Sequence, residues 1–131
     1  LLLERRAPVV GLLREPPRGG PELLFPVRIP VIRFGKIKYA LTAILDTAAL
    51  SRLIRSELPA SDEWTRALLD PAGTIAVRTR DPSRFVGRVA KPEIRARLGS
   101  PSEEAFRAVG LDGTEVYAVL SSGAFGWTGR E

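Results

Sequence analysis

Any chemistry in this chain has to be done without histidine or cysteine, because the sequence contains neither. That removes Ser-His-Asp triads, thiolate nucleophiles, disulfides and the usual zinc ligand sets. Carboxylates, Lys and Tyr remain for acid–base work. Asp46 stands out among them. It is the only acid between Glu22 and Glu57, and it directly follows the apolar run Leu41-Thr42-Ala43-Ile44-Leu45. A carboxylate at the mouth of a core strand is costly to keep charged unless something pairs with it, and functional sites are where such groups are kept. The same Asp also suits a turn, or the N-cap of the helical pattern that follows. Both readings stand at this point. Asp112, in Asp112-Gly113-Thr114, reads as a turn residue.

The stretch Ile44-Leu45-Asp46-Thr47-Ala48-Ala49, followed by Ser51 and Leu53-Ile54, resembles the active-site loop of the retropepsin-like aspartic proteases. Their motif is two apolar residues, then Asp-Thr/Ser-Gly-Ala, then a hydroxyl residue and an apolar pair. Ala48 stands where the motif has Gly, and the hydroxyl of Ser51 arrives one position early. The resemblance covers residues 24–126 in layout, with the specific match at residues 44–49. It implies a mostly β fold, a closed or partly open β-barrel with short helices, active as a homodimer. Asp46 and Asp46 of a second subunit would share a proton, because two like charges in contact cannot both ionise cheaply. The ionised member would activate a water and the protonated one would donate to the scissile carbonyl of a polypeptide substrate. Thr47 would bond the partner loop's backbone, Ala48 would sit where substrate backbone passes, and Ala49 would pack beneath the loop. No cofactor or metal is implied. Gly is used where backbones approach closely, so Ala48 also supports an alternative: a weak or inactive retropepsin-like module for peptide binding or dimerisation.

The 131 residues fit one domain of modest core, with 44% hydrophobic and 27% charged residues. The 11 prolines and 12 glycines favour a turn-rich, strand-rich chain. The net charge of +5 permits an acidic partner. However, the basic residues are spread along the chain and no nucleic-acid motif appears, so no nucleic-acid partner is expected. No apolar run approaches the roughly 20 residues that span a bilayer. That is the expectation for a soluble domain, cytoplasmic or part of a larger protein anchored outside this chain.

The elements that would position Asp46 read as follows. Residues 1–21 form a tail, linker or interface strand, with Val9-Val10 as its apolar part and a Pro/Gly cluster from Pro16 to Pro21. Residues 22–131 form the domain. Val27, Ile29 and Val31 alternate as a strand, and Ile32 and Phe34 change parity, which predicts a bulge. Pro30 predicts an edge position or a bulge. Gly35-Lys36 suits a hairpin turn, and the return strand is expected to be buried on both faces near Asp46. Leu50, Leu53, Ile54 and Leu58 have helical spacing, with Ser51 as the cap and Pro59 as the stop. Residues 61–70 suggest a second helix capped by Ser61, with Trp64, Ala67 and Leu68 facing inward. Residues 74–90 suggest a hairpin turning at Asp81-Pro82. In the retropepsin-like proteases a hairpin at this position is the flap over substrate, which makes Arg80, Asp81, Pro82, Ser83 and Arg84 the candidate flap. Residues 92–98 alternate as a half-exposed strand, and Ser100 to Glu103 resemble a capping box. Phe106 to Leu120 reads as two strands around Asp112-Gly113. A final apolar strand, Val116 to Leu120, would run into Ser121 and Gly123 behind the catalytic loop.

Overall fold

The computed structural model describes residues 6–20, 23–57, 64–99 and 104–121. The chain divides into two compact units, Leu1–Ala90 and Lys91–Glu131.

The first unit is built on a long hairpin. Strands β2 (Leu24–Arg33) and β3 (Lys36–Asp46) pair antiparallel, with Phe25 opposite Leu45 and Val31 opposite Tyr39. The bulge forecast by the parity change lies between Val31 and Ile32. The turn is one residue earlier than the sequence suggests. Arg33 pairs with Lys36, so Phe34 and Gly35 turn the corner, at φ 51° and 72°. Positive φ at both central residues is the type I′ requirement, and it matches the twist of the flanking strands. The short strand β1 (Val9–Val10) adds to the other side of β2, with Val9 opposite Arg28. Pro30 lies beyond the end of β1 and pairs only with Ala40, so its missing N–H breaks no ladder to β1.

Helix α1 (Thr47–Glu57) follows β3 with no intervening loop. Its cap is Asp46 rather than Ser51, which lies within the helix. Leu50 is buried and Ile54 packs on the core, as their spacing predicts, while Leu53 is exposed. Leu58, Pro59 and Ser61 lie outside the described residues. The second helix forecast for residues 61–70 is not formed where the chain is described. Instead β4 (Ala67–Leu69) pairs antiparallel with β5 (Ile75–Arg78), and Trp64 is exposed. Ile75, Ala76 and Val77 are all buried, so β5 is covered on both faces. The core joins Phe25, Leu50, Ala76 and Val77, with Val10, Leu13, Val27, Leu45, Ile54 and Leu68 around them. Burying a Phe such as Phe25 contributes about 2–3 kcal/mol relative to leaving it in water.

Beyond its last turn the hairpin leaves the core behind. Tyr39, Leu41 and Ile44 are exposed, so β3 is not buried on both faces as expected; only its final residues approach the core. The forecast hairpin over residues 74–90 is also corrected. β5 takes β4 as its partner, and the returning chain pairs only with its start: Val89 bridges Thr74, the Ile75 N–H donates to the Arg88 carbonyl, and the Gly87 and Ala90 N–H groups donate to the Ile75 and Gly73 carbonyls. Residues Pro82–Phe85 form a one-turn helix, α2, instead of a hairpin tip.

The second unit holds a one-turn helix, α3 (Pro92–Arg95), and the antiparallel pair β6 (Phe106–Val109) and β7 (Glu115–Ala118). The alternation of residues 92–98 misled toward a strand. Pro92 sits in the first turn of α3, where its fixed φ suits a helix and its missing N–H costs nothing. The β6–β7 hairpin turns through Gly110 to Thr114 as the Asp-Gly signal forecast, with Gly113 at φ 85° and Asp112 Oδ1 accepting the Thr114 N–H. The strand expected to reach Leu120 stops at Ala118. Ser100 to Glu103 and Gly123 lie outside the described residues. Among the described residues three separate sheets are formed and none closes into a barrel; the coarse expectation of a mostly β chain with short helices holds.

Candidate ligand-binding site

Asp46 is the last residue of β3 and the N-cap of α1. Its Oδ1 accepts the backbone N–H of Ala49, the third residue of the helix. Thr47 is buried, and its N–H donates to the Leu23 carbonyl, which continues the β2–β3 ladder into the helix. Ala48 and Ala49 are half-buried in the first helical turn. The motif is therefore spent on turning a strand directly into a helix. The Ala at position 48 follows from this: it has a helical backbone, where Ala is the best former and Gly costs about 1 kcal/mol.

The candidate flap residues lie elsewhere in the same unit. Asp81 precedes α2 at φ 48°, and Pro82 and Ser83 open that helix with Arg84 in it. Phe85, the last residue of α2, is 1% exposed. Three guanidinium groups gather over this ring. The Arg78 carbon Cζ lies 4.0 Å from the ring centroid, that of Arg84 5.0 Å and that of Arg88 5.7 Å. Arg78 comes from β5, Arg84 from α2 and Arg88 from the chain returning past Ile75. Arg78 is further fixed by a hydrogen bond from its Nη1 to the Arg80 carbonyl at 2.8 Å. The aromatic face attracts each cation and orients its plane. Among the described residues no carboxylate forms a salt bridge with Arg78, Arg84 or Arg88; the ion pair given by their geometry is Arg107 with Glu115, in the second unit. Three guanidinium groups that share one ring, with no carboxylate partner among the described residues, offer planar donors to the oxygens of an anion.

Sequence reasoning placed Arg80 and Arg84 in a flap and missed Arg78, Arg88 and Phe85 as a group. The signal was the recurrence of Arg on either side of one Phe, at Arg78, Arg84 and Arg88. The distribution of basic residues along the chain concealed it.

No family model matches the chain, and no curated protein matches it. Among solved structures it resembles the periplasmic sensory domain of the Campylobacter jejuni chemoreceptor Tlp1, with a TM-score of 0.57 at 17% identity. The match covers 88% of this chain and 46% of that one, so the chain spans less than half the length of its structural neighbour. The likeness is one of fold. It overturns the expected aspartic endopeptidase and its inactive peptide-binding alternative: the fold matched is that of a sensory domain. Asp46 in its place as a helix cap gives the physical reason that the motif misled.

Proposed function

We propose that this chain is a ligand-binding sensory module and that its ligand is a small anion. The likeness to a chemoreceptor's sensory domain carries the first part of this reading. The arginines over Phe85, which no carboxylate pairs among the described residues, choose the charge of the ligand. A carboxylate or phosphate seated there would take planar, paired hydrogen bonds from Arg78, held in place by its bond to the Arg80 carbonyl. Arg84 and Arg88 would close on it from α2 and the following turn. Arg suits this role better than Lys, because its fork matches carboxylate and phosphate geometry and stays charged throughout the physiological range.

Calorimetric titration with a panel of small carboxylates and phosphate esters, beside uncharged analogues, tests the reading. Binding confined to anions, weakened at least about tenfold in Arg84→Ala and Arg88→Ala, is the expected result. Affinity for neutral analogues equal to that for the anions would refute the charge assignment. Anion binding that survives both substitutions would remove this surface from the role.

A further inference from the structure

The outer edge of β3 is the longest strand edge that the first unit leaves unpaired among the described residues. β3 is the last strand in the order β1-β2-β3, so one of its hydrogen-bonding sides has no neighbouring strand among the described residues. Two bonds fix the phase of the ladder: Thr47 N–H to the Leu23 carbonyl, and Gly11 N–H to the Pro26 carbonyl. With the register that pairs Leu24 with Asp46 and Val31 with Tyr39, the odd-numbered residues of β3 turn N–H and C=O toward β2. Ala40, Thr42 and Ile44 turn theirs outward, with the bulge residue Lys38 before them and Asp46 after them. Natural edges are usually blunted by a charge, a proline or a bulge. From Tyr39 to Leu45 this edge has neither a charge nor a proline, and its bulge is Lys38, the extra residue between Tyr39 opposite Val31 and Ile37 opposite Ile32. Exposed apolar side chains occupy both faces, Tyr39 and Leu41 on one and Ile44 on the other.

We infer that β3 pairs antiparallel with β3 of a second copy of this chain, about a two-fold axis through Thr42. In this register Thr42 faces its own copy, Ala40 faces Ile44, and Lys38 faces Asp46. Ala40, Thr42 and Ile44 each meet another outward-turned residue, so the new ladder satisfies the backbone from Ala40 to Ile44 on both strands, and the bulge at Lys38 ends it at each side. The strand is also complementary to itself in charge: symmetry gives two Lys38–Asp46 pairs, one at each end. Asp46 keeps Oδ1 on the Ala49 N–H and offers Oδ2 to the ammonium. Moving the axis to Ala40 or Ile44 removes both charge pairs. The two Asp46 residues lie eight rungs apart, about 26 Å along the strands, so this dimer brings no carboxylates together. The pairing is independent of the anion reading, which concerns β5 and α2.

The natural absence of cysteine makes a single introduced one diagnostic. Directly opposed residues have Cα atoms about 5.5 Å apart, within disulfide reach, while the two copies of position 40 stand four rungs apart, about 13 Å along the strands. The full chain is expected to sediment as a dimer at raised concentration. Thr42→Cys should cross-link about tenfold faster than Ala40→Cys under mild oxidation, with both variants retaining the parent far-ultraviolet circular dichroism. Lys38→Glu should raise the dimer dissociation constant about tenfold. A chain that stays monomeric at every concentration overturns the inference. So does a dimer in which Ala40→Cys cross-links as fast as Thr42→Cys, or one that Lys38→Glu leaves unchanged. A monomeric wild-type chain overturns the inference even where a substituted chain fails to fold.

Discussion

The Oδ1 atom of Asp46 lies 2.5 Å from the backbone nitrogen of Ala49 and accepts its N–H. The first turn of α1 has unsatisfied backbone donors, and this bond supplies one of them with a negatively charged acceptor at the positive end of the helix dipole. Asp46→Ala is therefore expected to lower stability by about 1 kcal/mol. Asp46→Asn should lose less, because Asn caps about as well. Urea denaturation of the two variants beside the parent checks this. An Asn variant as unstable as the Ala variant would show that the charge, rather than the cap geometry, is what α1 uses.

The strand-then-helix order around Asp46 was legible because apolar alternation up to Leu45 and helical spacing from Leu50 are both strong local signals. The β6–β7 hairpin was legible for a similar reason, since Asp112-Gly113 is local turn chemistry. The role of Asp46 was not. A helix cap and a catalytic carboxylate present the same residue types in the same order, and the bond from the Ala49 N–H that makes Asp46 a cap is visible only in the folded chain. The failures at residues 61–70 and 92–98 have a different origin. Leu68 and Leu69 form a strand because β5 offers them an edge, a partnership between segments that no local pattern records. The arginines over Phe85 also meet through folding, from β5, α2 and the turn after it.

Asp70 is 2% exposed and accepts three backbone N–H groups, from Leu13 at 2.9 Å through Oδ2 and from Ala72 and Thr74 at 2.9 and 2.8 Å through Oδ1. It shapes the turn between β4 and β5 and ties down the segment after β1. Asp70→Ala would remove the acceptor of three part-buried donors, and a loss of about 2–3 kcal/mol is expected. Asp70→Asn keeps one carbonyl acceptor but must point an NH2 group at a backbone N–H, so an intermediate loss follows. Hydrogen exchange locates the effect: protection of the Leu13 amide should fall in both variants, before that of Val77 in the core.

Phe34 is 96% exposed and holds φ at 51° in the β2–β3 turn. A left-handed backbone costs a residue with a Cβ about 1–2 kcal/mol, and this ring recovers none of it by burial. Asn-Gly is the preferred pair for such a turn. Phe34→Asn should thus stabilise the chain by about 1 kcal/mol, read as a higher urea midpoint at unchanged m-value. A destabilised variant would show that the ring has a contact which its exposure in the single chain does not reveal.

Stability and ligand charge can be separated at Phe85. The ring is buried beneath three guanidinium groups and anchors α2 to β5, so Phe85→Ala should cost about 3–5 kcal/mol and is too blunt to test the site. Arg78→Met is sharper. Met keeps an unbranched, polarisable side chain against the ring, so the stability change should stay within about 1 kcal/mol, the size of one cation–π contact. The charge and the planar donors are lost entirely. If Arg78 receives an anion, binding should weaken at least about tenfold while the thermal midpoint of the unliganded chain moves little. Arg78→Lys separates the two remaining contributions, because it restores the charge without the planar fork. Partial recovery of affinity would assign part of the interaction to charge alone, and no recovery would assign it to paired hydrogen bonding. Unchanged affinity in Arg78→Met, at unchanged stability, would mean that the guanidinium only shields the ring.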